Sequence, residues 1–420
     1  MIDEDKDVGP APGHPTPEGE TACKVAVHDA IGSIAAEAWD KLANPRPETA
    51  NPFISHAFLA SLEEAGTVGG RTGWLPRHLA LIDAHGTMIG AMPAYLKLHS
   101  RGEYVFDQGW ADAYHRAGGS YYPKLLCAVP FTPVPGPRIL LGDAAPDEAR
   151  ERELLLASAA VELAERMELS SVHLTFPDEG MWHRLGAAGF LQRTDQQFHF
   201  TNAGYRSFDD FLASLASRKR KAIRREREEA VAAGLEIRWL SGADLREDHW
   251  DAFFAFYMDT GSRKWGTPYL NRAFFSLIGE RMADRCLLIM AFRDGTPIAG
   301  ALNLIGGDCL YGRYWGANEH HPCLHFELCY YQAIEFAIAK GLARVEAGAQ
   351  GDHKIARGYM PTTTYSLHWF ADPGLGRAVA RYLADERRHV AHTQAVLSEL
   401  APFRREATAS PAASEPPDHD

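Results

Sequence analysis

Apolar residues recur along this chain at strand spacing and at helix spacing, in an order that occurs twice. Residues 78–93 and residues 287–302 each predict a strand, a tight turn and a second strand, and Gly-Thr-x-Ile recurs at both turns. Gly86 and Gly295 supply the positive φ that such turns require. The flanking pattern predicts helices 31–42 and 55–65, strand 104–110, helix 147–167 and strand 171–176 in the first copy, and helices 247–260 and 271–282, strand 309–316, helix 325–340 and strand 344–349 in the second.

The repeat spans about half of the chain, which indicates a duplicated domain and not a solenoid. We therefore expect two α/β domains of similar topology, at residues 23–203 and 204–403, with the second carrying the active site. Residues 1–22 and 404–420 are rich in proline, alanine, serine and acidic residues, and we expect both tails to be disordered.

Composition narrows the class of protein. The 420 residues carry a net charge of -12, which argues against generic nucleic-acid binding, so no DNA partner is expected. No window approaches 18 consecutive apolar residues, so no transmembrane segment is expected. The acidic N-terminus lacks an apolar core, unlike a secretory signal, and the six cysteines are too sparse for a disulfide framework. We expect reduced thiols and a cytoplasmic protein.

Five longer motifs carry a resemblance, at residues 119–138, 214–227, 311–316, 324–334 and 346–359. In them the chain resembles the FemAB-like family of N-acyltransferases, associated with peptidoglycan biosynthesis or recognition. The resemblance implies an α/β (α+β) fold of two tandem GNAT-like acyltransferase domains, each a mixed twisted sheet flanked by helices. It also implies acyl-CoA or aminoacyl-tRNA as co-substrate, with no permanently bound cofactor. The long coiled-coil arm of many peptidoglycan aminoacyl ligases is not visible here.

Ionisable residues crowd the stretch 310–361 beyond what packing requires. Acyl transfer to an amine needs a base and a group that polarises the carbonyl. The candidate catalytic residues are His325, Glu327, His353 and Lys354, the last of which resembles the lysine after the equivalent strand in Fem-type ligases.

Several alternatives stay open for this stretch. The histidines could cap the helix or line a polar surface, and Glu327 could be a buried carboxylate paired with Arg313. Lys354 and Arg357 could pair with Glu346 and Asp352. A zinc site would use His320, His321, Cys323, His325 and Cys329, but their spacing matches no standard site, so we expect no metal.

Two further groups of residues predict anion binding. His320 and His321 precede the helix at 326–340, whose N-terminus favours the phosphates of a donor, although the usual glycine-rich acetyl-CoA loop is missing there. Arg220, Lys221 and Arg224 form a basic stripe on a helix expected at 208–233. The stripe could recruit tRNA, a nucleotide-linked precursor, CoA or an anionic lipid, or could be neutralised by nearby glutamates.

Prolines are dense at 123–138 and exclude a regular helix there. We expect this segment to wall a substrate groove between the domains or to brace their interface, with Tyr121, Tyr122 and Lys124 at the rim. Aromatic and basic residues would flank the groove from the second domain, and the complete set of substrate-binding candidates is Tyr121, Tyr122, Lys124, Arg313, Tyr314, Trp315 and Arg357.

The sequence therefore predicts an N-acyltransferase that transfers an acyl or aminoacyl group to an amine, either of a small molecule or of a cell-wall precursor. Two alternatives remain. One is a non-catalytic tandem GNAT module that recognises a peptidoglycan precursor, and the other is a tRNA-binding regulatory protein.

Overall fold

The computed structural model of the protein describes residues 23–264, 268–348 and 351–404. The tails predicted at 1–22 and 404–420 lie outside these ranges, apart from Arg404.

Fourteen strands are found in the described residues. They are β1 Lys24–His28, β2 Trp74–Pro76, β3 His78–Ile82, β4 Met88–Met92, β5 Ala94–Lys97, β6 Lys124–Cys127, β7 Ser171–Thr175, β8 Leu191–Thr201, β9 Glu236–Ser241, β10 Cys286–Arg293, β11 Thr296–Ile305, β12 Cys309–Ala317, β13 Arg344–Glu346 and β14 Met360–Phe370.

The α-helices, in chain order, are α1 Ala36–Ala43, α2 His56–Glu64, α3 Gln108–Arg116, α4 Pro146–Arg166, α5 Glu179–Ala187, α6 Phe208–Ser214, α7 Ser217–Val231, α8 Glu247–Lys264, α9 Arg272–Met282, α10 Leu324–Phe326, α11 Gln332–Ala339 and α12 Pro373–Glu399. A π-helical turn at Glu327–Tyr331 joins α10 to α11, so these three form one continuous helical run. The chain also forms 3₁₀ turns at Ile31–Ser33, Pro47–Thr49, Pro52–Ile54, Gly242–Asp244, Ala283–Arg285 and Asp352–Arg357.

The strand pairing repeats, as the sequence predicts. In the second half the neighbours run β9, β10, β11, β12, and β12 lies parallel to β13. In the first half β1 pairs with β3, β3 with β4, β5 with β6, and β6 lies parallel to β7. The second copy has one continuous strand, β11, where the first copy has β4 and β5. Pro93 separates these two, because proline has no N–H to donate to a neighbouring strand, and β4 and β5 belong to different sheets. The predicted mixed α/β architecture is confirmed.

The two halves exchange their last strands. Strand β14, from the second half, pairs with β7, and β8, from the first half, pairs with β13, while β8 and β14 also pair with each other. Eleven strands thereby form one sheet in the order β2-β5-β6-β7-β14-β8-β13-β12-β11-β10-β9. The expected boundary at 203/204 falls between β8 and α6, yet each half completes its sheet with the other half's strand.

Two predicted elements differ from the structure. The strand expected at 104–110 is a loop that leads into α3, with Tyr104 at a φ of 60°, and β6 takes the place of that third strand. The helix expected at 208–233 is broken between α6 and α7, because the buried Leu215 adopts extended backbone and bridges to Phe403.

Both faces of the second half's sheet are buried, which explains the unbroken apolar run of β10. Leu288 and Met290 pack on the side of α8 and α9, whereas Leu287 and Ile289 pack on the side of the helical run 324–339. Gly316 permits close packing of α8, since a Cβ there would lie 2.2 Å from the carbonyl oxygen of Phe256. None of the helices in the described ranges combines the length and the apolar character needed to cross a membrane.

Candidate functional site

Strands β12 and β13 diverge in the middle of the second half. Their parallel pairing covers three residue pairs and ends at Tyr311 and Glu346, while β12 runs on to Ala317. A bulge between β11 and β12, at Leu302 and Asn303, adds to the bend. Beyond Tyr311, this edge of β12 therefore has no strand partner among the described residues.

A cavity of about 120 Å³ opens at this divergence. Its walls come from β11, β12, the helical run and the end of β13. The lining residues are Ala301, Leu302, Asn303, Gly312, Arg313, Tyr314, Trp315, His325, Cys329, Tyr330 and Ala347. Four of the predicted site residues, Arg313, Tyr314, Trp315 and His325, thus meet at one place.

The helical run supplies the face of the cavity opposite to the strands. His325 is half-buried, with its ring 5.1 Å from Trp315 and 5.5 Å from Tyr330, both edge-on. Cys329 lies one turn later, inside the π-helical turn, and is also partly exposed. π-helical turns within helices are frequent at functional sites, because the wider turn redirects side chains.

Arg313 lies on the bulge, with its side chain only 3% exposed. Its guanidinium contacts the Glu346 carboxylate at 3.3 Å and donates to the Gly312 carbonyl oxygen at 2.9 Å. The Nε atom is buried and has no hydrogen-bond partner among the described residues. A buried N–H without an acceptor is costly, and Arg313 is one of the residues that line the cavity.

Lys354 is buried next to the end of β13. Its ammonium group donates to the carbonyl oxygens of Ala347 at 2.6 Å and Gly348 at 3.2 Å. Burial lowers the pKa of Lys354 to about 8. Among the described side chains, the Glu346 carboxylate pairs with Arg313 and not with Lys354, whose hydrogen bonds are with backbone oxygens, and the side chain of Asp352 lies outside the described residues.

Glu327 takes a different partner from the one the sequence suggested. Its carboxylate accepts from Nε and a terminal nitrogen of Arg227, at 2.8 to 3.1 Å, and from Gln332 at 2.7 Å. Arg313 pairs with Glu346 instead. Glu327 is only 2% exposed and does not line the cavity, so its contacts hold α7 against the helical run.

The remaining histidine candidates lie around the cavity and not in it. His353 is exposed, and its Nε2 lies 3.0 Å from the Tyr330 hydroxyl. His321 contacts Glu319 at 2.9 Å, and His320 is exposed on the loop before α10. Among the described residues, no group of three or more histidine, cysteine, aspartate or glutamate side chains could hold a metal ion.

The basic stripe lies on the exposed side of α7. Lys221 and Arg224 are exposed and Arg220 is half-buried, and of these only Arg224 contacts a carboxylate, Asp209 at 3.4 Å, within the described ranges. On the inner side of α7, Glu226 accepts from Arg357 at 2.8 Å. Arg220 and Lys221 therefore stay available to an anion, while Glu226 and Arg227 anchor the inner side of α7.

Arg357 does not face the cavity. Its guanidinium lies 3.5 Å from the Phe326 ring centroid and pairs with Glu226, and the Tyr331 hydroxyl also donates to that glutamate. Within the described part of the chain Arg357 pairs with Glu226 and not with Glu346, while the alternative partner Asp352 has a side chain outside the described residues.

The sequence predicted Lys124 at the rim of a groove, but the structure shows that it is fully buried. Its ammonium group donates to Ser100 and to Glu103, each at 2.8 Å, and to Asp107, which also accepts from Tyr121. Burial disfavours the charge of Lys124, but the two carboxylates outweigh burial and raise its pKa.

Tyr121 is buried too, and Tyr122 alone of the three is half-buried, with its hydroxyl 2.8 Å from that of Ser100. Of the two carboxylates that bind Lys124, Asp107 lies in the stretch 104–110 that the sequence assigned to a strand, and Glu103 directly precedes it.

The first half fills the place that corresponds to the cavity. Past the end of β6, the proline-rich segment turns back onto β7, where Gly136 donates to Phe176 at 3.0 Å. The fully buried Arg138 donates through Nε to Thr175 at 2.6 Å and through its other nitrogens to carbonyls within the segment, including that of Val134. The proline-rich segment thus fills the space between the ends of β6 and β7, where the second half has its cavity.

The same segment reaches the second half. The Tyr314 hydroxyl donates to the Phe131 carbonyl oxygen at 2.7 Å, and the Phe131 ring stacks on Tyr269 at 5.0 Å. The segment therefore braces the interface, which was one of the two roles expected for it.

Cys329, Asn303 and Tyr330 were missed as cavity residues. For Cys329 a signal existed, since it lies four residues after His325 and shares its face of the helix. Asn303 and Tyr330 carry no such signal in the sequence.

The family model described as peptidoglycan biosynthesis/recognition matches residues 30–405. The crystal structure of FemX superposes with a TM-score of 0.51 at 12% identity, covering 85% of this chain and 100% of that chain. The C-terminal domain of a putative lysylphosphatidylglycerol synthetase from Agrobacterium fabrum gives a TM-score of 0.50 at 8% identity, covering 83% and 96%. A tandem GNAT protein from the clavulanic acid biosynthesis pathway gives 0.42 at 10% identity, covering 84% and 99%. The first two of these structures are similar to this chain in fold. No curated protein matches the chain.

Proposed function

The chain belongs to the FemAB-like family, described as peptidoglycan biosynthesis/recognition, and on that premise we propose that it is an N-acyltransferase. It transfers an acyl or aminoacyl group from an activated donor to an amine. The donor, an acyl-CoA or an aminoacyl-tRNA, enters as a co-substrate.

The observation that carries the proposal is the cavity between the diverging strands β12 and β13. An unpaired strand edge offers backbone N–H and C=O groups to an extended ligand. The corresponding place in the first half is bridged by Arg138 and the proline-rich segment. This asymmetry supports one active site per chain, in the second half.

The residues around the cavity suit acyl transfer. The carbonyl carbon must lose its bond to the donor and gain one to the amine nitrogen, while charge develops on the carbonyl oxygen. The free Nε–H of Arg313 is a donor for that oxygen, and Lys354 adds positive charge beside it. His325 is the candidate base for the proton that the amine must lose, because it lines the cavity and a neutral imidazole nitrogen accepts protons.

Two cations of α7, the half-buried Arg220 and the exposed Lys221, support a phosphate-bearing donor. Arg220 and Lys221 have no carboxylate partner in the described residues, and α7 packs against the helical run that lines the cavity. A donor whose acyl end enters the cavity could rest its phosphates on this stripe.

The acceptor amine we propose is that of a cell-wall precursor, in keeping with the family. The precursor would approach between the halves, where Tyr314 and the proline-rich segment meet.

The test is a transfer assay with isotopically labelled donors. Purified protein is incubated with acetyl-CoA, a longer acyl-CoA or aminoacyl-tRNA, together with a nucleotide-linked muramyl peptide that carries a free amine. We expect mass spectrometry to find the labelled group in amide linkage, and Arg313→Met to lower its yield. Binding of the precursor without product from any donor would instead favour the non-catalytic recognition module.

A further inference from the structure

Cys329 differs from the other cysteines of the chain in where it lies. Cys127, Cys286 and Cys309 are buried in the core, and burial raises the pKa of each thiol. Cys23 is exposed, far along the chain from the cavity. Cys329 is partly exposed and lines the cavity at the divergence of β12 and β13.

Cys323 offers a close comparison. It lies at the start of the same helical run, in the left-handed region, but its Sγ faces the Glu229 carboxylate at 3.8 Å. Burial and the neighbouring carboxylates raise its pKa, so the thiolate is disfavoured there. Cys323 does not line the cavity.

The surroundings of Cys329 are those of a nucleophile. A thiol reacts as its thiolate, which neighbouring cations favour. The buried Arg313 lines the cavity, and the buried Lys354 donates to the backbone of Ala347, which also lines it. His325 lies one helical turn from Cys329 on the same face. The arrangement of a thiol beside an imidazole is the usual way in which cysteine is activated for acyl transfer.

A ligand for this thiol is indicated independently by Arg313. Its side chain is 3% exposed and its Nε–H lacks an acceptor in the described part of the chain, while the residue lines the same cavity as Cys329. A carbonyl oxygen held by that N–H would present its carbon to a group on the facing helical run.

We infer that Cys329 is an acyl-accepting nucleophile, which carries the transferred group as a thioester between donor and amine. The inference rests on the proposed function and deepens it by assigning a thioester donor and a two-step route.

In the first step the Cys329 sulfur forms a bond to the donor's carbonyl carbon. The donor's carbon–sulfur bond breaks, and the thiol proton passes by way of His325 to the departing sulfur. In the second step the amine nitrogen attacks the acyl carbon, the bond to Cys329 breaks, and the amine proton returns to the thiol. No oxidant or reductant is involved.

The test uses acetyl-N-acetylcysteamine, a small thioester, with the full-length protein and no amine acceptor. After proteolysis, mass spectrometry locates the acetyl group, and hydroxylamine treatment separates a labile thioester from a stable amide. We expect acetyl on Cys329 as a hydroxylamine-labile adduct, formed faster than on the exposed Cys23. Acetylation of Cys329 no faster than of Cys23 overturns the inference.

The matched variants are Cys329→Ala and Cys323→Ala, each checked for native circular dichroism. We expect Cys329→Ala to abolish the adduct and to lower acyl transfer about 10²-fold, the scale on which loss of a group that acts in the transition state is felt. Cys323→Ala should leave both unchanged. Undiminished transfer in Cys329→Ala removes the covalent route but leaves the proposed function intact. An adduct on Cys329 without transfer to any amine refutes the proposed function and leaves the reactive thiol.

Discussion

Among the individual residues, Lys354 has the most informative environment. Its ammonium group is held by two backbone oxygens, and burial lowers its pKa to about 8. We expect Lys354→Met to reduce acyl transfer by at least about tenfold, because a preorganised cation near the carbonyl oxygen is lost. The assay is steady-state transfer, and Lys340→Met, which removes an exposed lysine of the second half, should change it little.

The pH dependence of acyl transfer follows from the ammonium group of Lys354. Below about pH 8 Lys354 carries a charge, and above it the amine is neutral. If the charge stabilises the transition state, kcat falls as the pH rises through about 8. In Lys354→Arg the guanidinium stays protonated, so any remaining activity should lose this alkaline decline. A rate that instead rises through about pH 8 would contradict the cationic role and indicate a base.

Glu327 allows structural and catalytic roles to be separated. We expect Glu327→Gln to lower the free energy of unfolding by about 2 kcal/mol, because a nearly buried partner of Arg227 loses its charge. The matched control is Glu335→Gln, which weakens the other, more exposed contact of Arg227 and should cost less than about 1 kcal/mol. Urea unfolding measures both. A loss of transfer in folded Glu327→Gln far beyond that of Glu335→Gln would restore Glu327 as the base.

At the scale of elements, α7 divides its two sides between binding and anchoring. Substitution of Arg220 and Lys221 by alanine should weaken binding of a phosphate-bearing donor and lower the salt slope of log Kd by about 1 to 2, one unit for each lost phosphate contact. Fluorescence titration over a range of salt concentrations measures this. The control, Arg150→Ala with Arg152→Ala on α4, should keep the slope, and an unchanged slope in the α7 variant would exclude the stripe as a donor site.

The proline-rich segment is held by Arg138 from inside. We expect Arg138→Met to destabilise the protein by about 3 kcal/mol or more, since several buried carbonyl oxygens lose their donor at once. Thermal unfolding measures the loss, and Arg46→Met, at a largely exposed arginine, should have little effect. A stable Arg138→Met variant would mean that the prolines alone fix the segment.

At the scale of the whole molecule, the exchange of β8 and β14 ties the halves together. Residues 1–203 alone would leave β7 without β14, and residues 204–420 would leave β13 without β8. We expect neither fragment to show a cooperative unfolding transition by circular dichroism, whereas the two co-expressed fragments should associate and regain it. A fragment that unfolds cooperatively alone would show that the exchanged strand is dispensable.

The sequence by itself determined the local elements and their repetition. Alternation of apolar residues and turn glycines depend on neighbours in the chain, so the hairpins at Gly86 and Gly295, the parallel-strand units and the dense ionisable stretch of the second half could be predicted. The same local reasoning failed at residues 104–110, where the tertiary contacts of Asp107 and Trp110 outweigh apolar spacing.

The tertiary structure alone decided that the parallel strands of the second half keep a cavity between them, and which side chains meet there. Glu327 and Arg227 are separated by 100 residues, and Arg138 and Thr175 by 37, so no local pattern reports their pairing. The burial of Lys124 follows from the same cause, since desolvation and pairing depend on what surrounds a group in space. The exchange of β8 and β14 is likewise invisible in the sequence, because either strand has the pattern to complete either half.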